Sequence, residues 1–404
     1  MTRFVCTNIA QVVTCTSSDL SSVRTSAVVA VEDGVIVAIG DRSELDATFA
    51  AAERIDCRGG VLTPGFVDSH THALFGRYRA GEYALRSQGV PYMEIAKRGG
   101  GINASVGDVR ARSQEELETL ARPRLHAMLA LGTTTAEVKS GYGLETAAEL
   151  KMLRAITTLV REGPIDIEPT FLGAHEFPPE FREDREGYVN VIVSEMIPAV
   201  AEQGVARFCD VFMEPGVFTA AQSRRILEAG LDYGLVPRLH ADELEGSGGA
   251  ELAAEIGAAS ADHLGAISEA GIAALAASDT VAGLLPATLF FLGRKNYAPA
   301  RGLLDAGATI ALATDFNPGS APSPSMPLVL TIACSQMGLS PLEAIRAATA
   351  GGARVLRLKD GRGTLRPGAP ADLILWDVEH FDEIPYHFGM PRIARVWKRG
   401  RAVV

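Results

Sequence analysis

Cysteine is scarce in this chain, with five among 404 residues, and no two of them stand in a CxxC spacing. An odd number of scattered cysteines argues against a disulfide framework and against a cysteine-based zinc site. The five are Cys6, Cys15, Cys57, Cys209 and Cys334. A reducing cytoplasm is therefore the location that the sequence predicts.

The chain also lacks an excess of positive charge, because 38 Lys and Arg residues stand against 49 Asp and Glu residues, for a net charge of −11. Nothing in that balance offsets repulsion from phosphates, which argues against a nucleic-acid partner. We interpret the charge as an aid to solubility. Neither GxGxxG nor GxxxxGK[ST] occurs, so neither a dinucleotide-binding fold nor a P-loop is supported.

Long apolar segments are missing as well. The stretch 270–285 contains Ser278 and Asp279 and is too broken to cross a bilayer. Near the amino terminus, Thr, Asn and Gln interrupt the apolar residues, so the segment lacks the core of a signal peptide. We therefore expect no membrane partner.

The two ends of the chain both have the composition of short strands. Residues 27–32 and 35–39 are rich in β-branched side chains, and Asp33-Gly34 between them is a hairpin signal. Strand-like runs return at 371–376 and 393–398. We predict that 1–62 and 363–404 pair into one small β-sandwich domain.

The middle of the chain, 63–362, alternates strand-like and helix-like segments. Helical periodicity marks 115–131, 146–161 and 220–229. Apolar strand-like runs lie at 132–139, 166–172, 207–212, 235–240, 258–262, 281–285 and 309–313. A count near eight predicts a parallel (β/α)₈ barrel, an α/β architecture, in preference to an open sheet.

The strongest local motif is PGFVDSHTH at 64–72. On a strand, residues i and i+2 point to the same face, so His70 and His72 could present two imidazoles to one metal ion. A lone HxH is a weak signal, and a pair of hydrogen-bonded histidines near a strand end is the plainer interpretation.

Three more polar residues follow predicted barrel strands: His240, His263 and Asp315. Barrel active sites gather at the carboxyl ends of the strands, so these side chains are expected to meet His70 and His72. Taken singly, His263 could be a structural histidine and Asp315 a helix cap. Together the five predict a mononuclear hydrolytic centre with three nitrogen ligands, one carboxylate and a spare histidine.

Such a centre would activate water and polarise a carbonyl under attack. Asp315 would take the proton of the water and pass it to the leaving nitrogen, while His263 would orient the water or stabilise the oxyanion. Lys139 could bridge two metal ions, but a charge near the pocket mouth is the plainer interpretation. We predict one divalent metal ion per chain, zinc or iron, since the same donors serve both.

These residues, with the closing segment GTLRPGAPADL at 363–373, resemble the amidohydrolase superfamily. Within it the chain is most similar to the imidazolonepropionase family, over nearly its whole length. The strings that carry this resemblance are 92–95 with 99–102, 137–144, 170–175, 240–243 and 313–320. The resemblance implies hydrolysis of the small-molecule substrate 4-imidazolone-5-propanoate to N-formimidoyl-L-glutamate, a step of histidine degradation.

The resemblance also implies a role for each matching residue. The implied metal ligands are His70, His72, His240 and Asp315, and the implied catalytic residues are Asp315, His263 and Glu243. Arg79 would hold the propanoate carboxylate, as a planar guanidinium can, with Arg77 as a competing cation. The remaining substrate contacts implied are Tyr142, His175 and Glu243 at the ring and Asn317, Gly319 and Ser320 at the amino-acid end of the product.

Two other functions use the same fold. An aminohydrolase that deaminates a nitrogen heterocycle would share the metal ligands but has no obvious use for a carboxylate clamp. A non-enzymatic barrel would be expected to have lost ligands, which this sequence retains. Glu243 could instead brace His240. We further expect a homodimer and a lid at 99–101, where glycine gives the backbone freedom.

Overall fold

The computed structural model describes residues 3–90, 94 and 100–404, and the strands in these ranges form two sheets of eight strands each. The strands of the first sheet, which we call the terminal sheet, are β1 Arg3–Val13, β2 Val23–Thr25, β3 Ala27–Glu32, β4 Val35–Asp41, β5 Glu53–Pro64, β14 Leu373–Trp376, β15 Ile393–Lys398 and β16 Arg401–Ala402. The strands of the second, the barrel, are β6 Phe66–Asp68, β7 Thr133–Lys139, β8 Asp166–Ala174, β9 Phe208–Met213, β10 Val236–Ala241, β11 Ser260–His263, β12 Val281–Leu284 and β13 Ile310–Leu312.

The terminal sheet joins both ends of the chain in the order β16-β15-β14-β5-β1-β3-β4, with β2 beside β1. Its central pair, β1 and β5, is parallel and the other pairs are antiparallel. The β3–β4 turn at Asp33 and Gly34 has positive φ at both residues, 46° and 82°. Two positive values in a two-residue turn match the twist of the hairpin strands, as the sequence predicted.

The barrel strands are parallel and follow one another in chain order from β6 to β13. Most of their residues are buried, because helices cover the outer face and side chains fill the interior. Main-chain bonds just beyond the strand ends connect the last strand to the first. The N–H of His72 donates to the carbonyl of Phe316, and the N–H of Asp315 to the carbonyl of His70, at 2.9 and 3.0 Å.

The helices of the described residues lie mainly between the barrel strands. They are α1 Arg42–Thr48, α2 Ala80–Ser87, α3 Ile102–Ala111, α4 Gln114–Ala130, α5 Thr146–Glu162, α6 Arg185–Val191, α7 Ile197–Gln203, α8 Ala220–Asp232, α9 Gly249–Glu255, α10 Glu269–Ala276, α11 Pro286–Phe291, α12 Ala300–Asp305, α13 Met326–Met337, α14 Pro341–Arg346, α15 Gly352–Val355 and α16 Glu383–Tyr386. Capping boxes start α4 at Ser113 and α8 at Thr219, where each hydroxyl accepts an otherwise unpaired N–H. The three helices predicted from the sequence match α4, α5 and α8.

The terminal sheet packs against the barrel through Trp376. Its indole Nε1 donates to the Thr63 hydroxyl at 2.9 Å, and its ring meets Phe66 edge-on at 5.9 Å between centroids. At Gly132, which precedes β7 with a φ of 91°, a Cβ would lie 2.6 Å from Ile374. A side chain at that position would have to displace the end of the Ile374 side chain, which packs between the terminal sheet and the barrel.

The fold class predicted from the sequence is confirmed: a (β/α)₈ barrel accompanied by a small β domain that both termini build. The small domain is a mixed sheet with apolar clusters on its two faces. The boundaries at 62/63 and 362/363 stay predictions, and β5 continues to Pro64. The proposed lid at 99–101 begins outside the described residues and also stays a prediction. None of the helices described is long and apolar enough to span a membrane.

Asp68 fastens the last barrel strand to the first. Its buried carboxylate accepts the Thr314 N–H at 3.0 Å and the Thr314 hydroxyl at 2.6 Å. Burial raises the pKa of Asp68 to about 7, although the Thr314 bonds oppose the shift. These two bonds hold the ends of β6 and β13 together at the place where the predicted ligands emerge.

Replacing Thr314 by Val should therefore weaken the barrel without changing its shape. The variant removes the hydroxyl donor and leaves a buried carboxylate oxygen short of one bond, so we expect a loss of about 1–3 kcal/mol in the free energy of unfolding. Urea denaturation followed by circular dichroism measures it. Thr158→Val, in a partly exposed position on α5, is the control and should stay within about 0.5 kcal/mol. Equal stability of the two variants would contradict the role given to Asp68.

Candidate active site and metal centre

Three buried histidines meet at the carboxyl ends of the barrel strands. His70 and His72 follow β6, and His240 lies in β10. One ligand nitrogen from each lies within 4.8 Å of the other two. The HxH spacing works as predicted, because the chain stays extended between His70 and His72 and both rings turn to the same side, 5.5 Å apart.

The histidine nitrogens have the pairing expected of metal ligands. His70 Nδ1 lies 2.9 Å from Asp262 Oδ2, and His240 Nδ1 lies 3.1 Å from Asp210 Oδ1. A carboxylate at Nδ1 selects the tautomer with the proton there and leaves Nε2 with a free lone pair. Among the described residues, Nε2 of both histidines is buried without a hydrogen-bond partner. Unpaired buried nitrogens that converge on one point fit a divalent metal ion.

Asp315 supplies a carboxylate to the same space. Its Oδ1 lies 3.6 Å from His70 Nε2 and 3.5 Å from His72 Nε2. Its Oδ2 accepts the Thr288 hydroxyl at 2.6 Å, which fixes the carboxylate. Burial raises the pKa of Asp315 to about 6. The residue has a φ of 51°, a left-handed conformation that non-glycine residues seldom adopt outside constrained sites.

The electrostatic surroundings favour neutral imidazoles. Burial, helped by Lys139 and the neighbouring histidines, lowers the pKa of His70 well below its usual value. Burial and His175 do the same for His72. Neutral imidazole is the form that binds a metal, so the pocket holds its histidines ready for one.

His263 and Glu243 border the centre on one side. His263 Nε2 lies 3.7 Å from Glu243 Oε2, and the His263 ring stands 5.3 Å from that of His240. Burial raises the pKa of Glu243 to about 8, and the negative charge of Asp315 adds to the shift. His263 has a φ of 82°, so a second strained residue stands at a strand end next to the ligands.

His175 and Tyr142 form the opposite wall. The His175 ring stacks on His72 at 4.9 Å, and its Nδ1 pairs with the Gly141 carbonyl at 2.8 Å. Burial lowers the pKa of His175 to about 3. Burial raises the pKa of Tyr142, while the nearby Arg79 opposes the shift. The wall therefore offers neutral rings with polar tips, and a cation beside them.

Of the two arginines after the HxH, the structure brings Arg79 to the site. Its side chain is 13% exposed, donates to Ser105 and Glu82, and lies against Gly319, where a Cβ would stand 1.7 Å from the guanidinium. Glycine at 319 thus leaves room for the Arg79 guanidinium, which a Cβ would displace. Arg77 is exposed and is held through its main-chain N–H by Asp108.

The loop after β13 is organised by Asn317. Its amide nitrogen donates to the Asp315 carbonyl at 2.7 Å and the Ser320 hydroxyl at 2.9 Å, while its oxygen accepts the N–H groups of Gly319 and Ser320, each at 2.8 Å. The amide is therefore engaged within its own loop. Its predicted contact with the product stays a prediction.

Two further loops are shaped in the same way by buried carboxylates. Glu149 accepts the N–H groups of Gly141, Gly143 and Leu144 at 2.8 to 3.2 Å, which fixes the loop that carries Tyr142. Asp242 accepts those of residues 247, 249 and 250 in the loop after β10. Such bonds satisfy main-chain donors that would otherwise be buried without partners.

The sequence predicted Lys139 near the pocket mouth, and this prediction is wrong. It is completely buried, and its Nζ lies 2.7 Å from both Glu137 Oε1 and Asp210 Oδ2. Asp210 and Asp262, which sequence reasoning missed, are the partners of the histidines. The available signal was an acidic residue inside an apolar strand, since a charge there needs a buried partner.

The chain is similar to known proteins over nearly its whole length. A model of the amidohydrolase family matches residues 61–403. An imidazolonepropionase of Symbiobacterium thermophilum is 50% identical over 93% of this chain and 89% of its own. One of Myxococcus xanthus is 47% identical over 96% and 92%.

Solved structures show the same fold at lower identity. An adenosine deaminase from Xanthomonas campestris with bound zinc is 19% identical, with a TM-score of 0.72 over 99% of this chain and 92% of that one. A 5-methylcytosine deaminase from Klebsiella pneumoniae is 19% identical, with a TM-score of 0.74 over 99% and 97%. At this identity the likeness concerns the fold. The matches along the whole sequence decide the family: the chain belongs to the amidohydrolase family and, within it, to the imidazolonepropionases.

Proposed function

We propose that this chain hydrolyses the cyclic amide of 4-imidazolone-5-propanoate to N-formimidoyl-L-glutamate, with one divalent metal ion, zinc or iron. The observation that carries the proposal is the placement of the Arg79 cation beside Tyr142, whose ring lies 5.8 Å from that of His72, one of the three histidines that converge. That combination suits an anionic tail attached to a nitrogen-rich ring. The imidazolonepropionases that match more than nine-tenths of the chain support the same substrate.

His70, His72, His240 and Asp315 would hold the ion, which when bound lowers the pKa of a water ligand and polarises a carbonyl. The protein supplies three neutral imidazoles and one carboxylate in fixed positions. Asp262 and Asp210 keep two of those imidazoles in the tautomer that a metal requires.

Asp315 accepts the proton of the attacking water and delivers it to the ring nitrogen that leaves. The Thr288 hydroxyl holds Oδ2, so Oδ1 is the oxygen that faces the histidines. Burial raises the pKa of Asp315 to about 6, which is closer to neutral pH. A group whose pKa lies near the working pH is most effective in acid–base catalysis.

His263 orients the water or stabilises the developing oxyanion, and Glu243 partners the ring. Burial raises the pKa of Glu243 to about 8, so at neutral pH a protonated carboxyl could donate a hydrogen bond to a ring acceptor. His263 faces Glu243 at 3.7 Å, which keeps the two groups on the same side of the centre.

Arg79 binds the propanoate carboxylate, and Tyr142 and His175 line the ring. Asn317, Gly319 and Ser320 stay assigned to the amino-acid end, with Asn317 shaping the loop that presents the other two. Deamination of a neutral heterocycle would use the same ligands but would leave the Arg79 cation without a substrate partner. We also propose a homodimer in the cytoplasm, following the expectations from the sequence.

Removal of the metal should abolish the activity. Dialysis of the protein against a chelator is expected to stop the ultraviolet decay of 4-imidazolone-5-propanoate, and addition of zinc or iron should restore it. Metal content by mass spectrometry, measured on each sample, shows which ion restores turnover. A stripped, metal-free sample that still consumes the substrate would refute the metal-dependent mechanism.

Asp315→Asn should lower kcat by about 10²- to 10⁴-fold, because the amide cannot accept the proton. Its metal content is measured in the same preparation, since Asp315 is also a proposed ligand. Asp279→Asn, a fully exposed aspartate, is the control and should match the wild type. Near-normal turnover of Asp315→Asn with metal bound would exclude the proton-transfer role.

Arg79→Ala should chiefly raise KM, because a charged hydrogen-bonded pair contributes about 1.5–3 kcal/mol. We expect a KM about 10- to 100-fold higher with a smaller change in kcat, from initial rates across substrate concentration. Arg77→Ala is the matched control and should leave KM unchanged. A higher KM for Arg77→Ala and an unchanged KM for Arg79→Ala would instead assign the binding of the propanoate carboxylate to Arg77.

A further inference from the structure

A continuous chain of charged side chains runs beneath the metal centre and joins two of its histidines. Every member has a side chain at most 4% exposed. In order, the members are His70, Asp262, Arg238, Glu137, Lys139, Asp210 and His240. Of these, Lys139 and the two histidines were singled out from the sequence. The mechanism above gives a role to Asp262 and Asp210 but none to Arg238, Glu137 or Lys139.

From the His70 side, the links run through Arg238. Asp262 Oδ2 lies 2.9 Å from His70 Nδ1 and 2.7 Å from the Arg238 guanidinium. The same guanidinium reaches Glu137 Oε1 at 3.3 Å. Arg238 thus connects the carboxylate behind one metal ligand to Glu137.

From the His240 side, the links run through Lys139. Asp210 Oδ1 lies 3.1 Å from His240 Nδ1, and Asp210 Oδ2 lies 2.7 Å from Lys139 Nζ. Lys139 Nζ also lies 2.7 Å from Glu137 Oε1. One oxygen of Glu137 is therefore shared by the two cations that hold the two carboxylates.

The other oxygen of Glu137 holds the main chain of the HxH motif. Glu137 Oε2 accepts the N–H of Thr71 at 3.0 Å, and the Thr71 hydroxyl donates to the Glu137 carbonyl at 2.7 Å. Thr71 stands between His70 and His72. Glu137 is therefore linked to all three histidines. It connects to His70 and His240 through the ion pairs of Arg238 and Lys139, and to His70 and His72 through the main chain of Thr71.

Stability alone is a weak explanation for these buried charges. Removing ions from water is costly, and buried ion pairs are often no more stabilising than apolar side chains of similar volume. Three carboxylates against two cations leave one net negative charge directly behind the histidines. A net negative charge in a low dielectric favours a divalent cation on the other side of the rings.

We propose that Glu137 is the positioning residue of the metal centre. Through these contacts it sets the orientation of His70, His72 and His240. Its negative charge also balances Lys139 and Arg238, the two cations that pair with Asp210 and Asp262. It is not a catalytic residue, because the histidines stand between it and the reacting atoms. This inference rests on the proposed metal centre and adds the residue that assembles it.

The test is the metal affinity of Glu137→Gln. This nearly isosteric change can keep the Thr71 bond but removes the charge that Lys139 and Arg238 share. We expect zinc or iron affinity about 10- to 100-fold below the wild type, measured on folded, stripped protein by competition with a chromogenic chelator. Affinity equal to the wild type would overturn the proposal.

Glu149→Gln is the matched control. Glu149 is as completely buried as Glu137 and accepts several main-chain bonds, but none of its described contacts reaches a ligand histidine or the carboxylates behind them. It should lose thermal stability and keep wild-type metal affinity. Equal losses of affinity in both variants would mean a general structural effect and would overturn the positioning role.

NMR spectra of the histidine nitrogens provide a second measurement. A purely structural role of Glu137 would leave the histidine tautomers unchanged. In metal-free protein labelled with ¹⁵N-histidine, His70 and His240 are expected as Nδ1–H tautomers in the wild type and in Glu149→Gln. Glu137→Gln should show a mixture of tautomers or broadened signals. Unchanged tautomers in Glu137→Gln would overturn the proposal.

A charge-balanced double variant covers the case in which Glu137→Gln fails to fold. Glu137→Gln with Lys139→Met removes one charge of each sign and so preserves the net charge of the chain of ion pairs. It should fold and still bind metal more weakly, because the histidines have lost the carboxylate that orients them; wild-type affinity would overturn the proposal. A wild type that binds no stoichiometric metal would instead refute the proposed function.

Discussion

The closure of the barrel between its last and first strands is the constraint on which the site depends. The bonds from His72 to Phe316 and from Asp315 to His70 are part of the same seam that Asp68 and Thr314 fasten. The HxH pair and the aspartate are thus brought together by the step that completes the fold. The seam that closes the barrel therefore also places His70, His72 and Asp315 beside one another.

The second constraint is that polar groups inside the barrel must find partners there. Behind the ligands, carboxylates, Lys139 and Arg238 neutralise one another except for one residual negative charge. In front of them, free imidazole nitrogens are left facing a common point. The carboxylates behind the histidine rings therefore have ion-pair partners, whereas Nε2 of His70 and of His240 has no hydrogen-bond partner among the described residues, and that side is where chemistry can occur.

Sequence reasoning recovered what depends on local pattern. The apolar runs between helical segments gave the barrel strands, and the polar residues at their ends gave His240, His263 and Asp315, since strand ends of a parallel barrel share one face. It could not find that Asp262 pairs with His70, 192 residues away, or that Lys139 lies between two carboxylates. Those pairings depend on which strands become neighbours and which faces turn inward, and a single strand carries no record of either.

The loops held by Glu149, Asp242 and Asn317 have a consequence for how such an enzyme can change over evolution. Each acceptor belongs to the same strand–loop–helix unit as the N–H groups that it gathers. Much of the shape of each loop is therefore determined within its own unit, and neighbouring units add a few bonds. Glu214, which follows β9, accepts the N–H groups of residues 243–245 in the loop after β10. The exchange of one loop would disturb the others only where such bonds cross between units. A barrel built in this way can acquire a new substrate one loop at a time, with the metal-binding histidines left in place beneath.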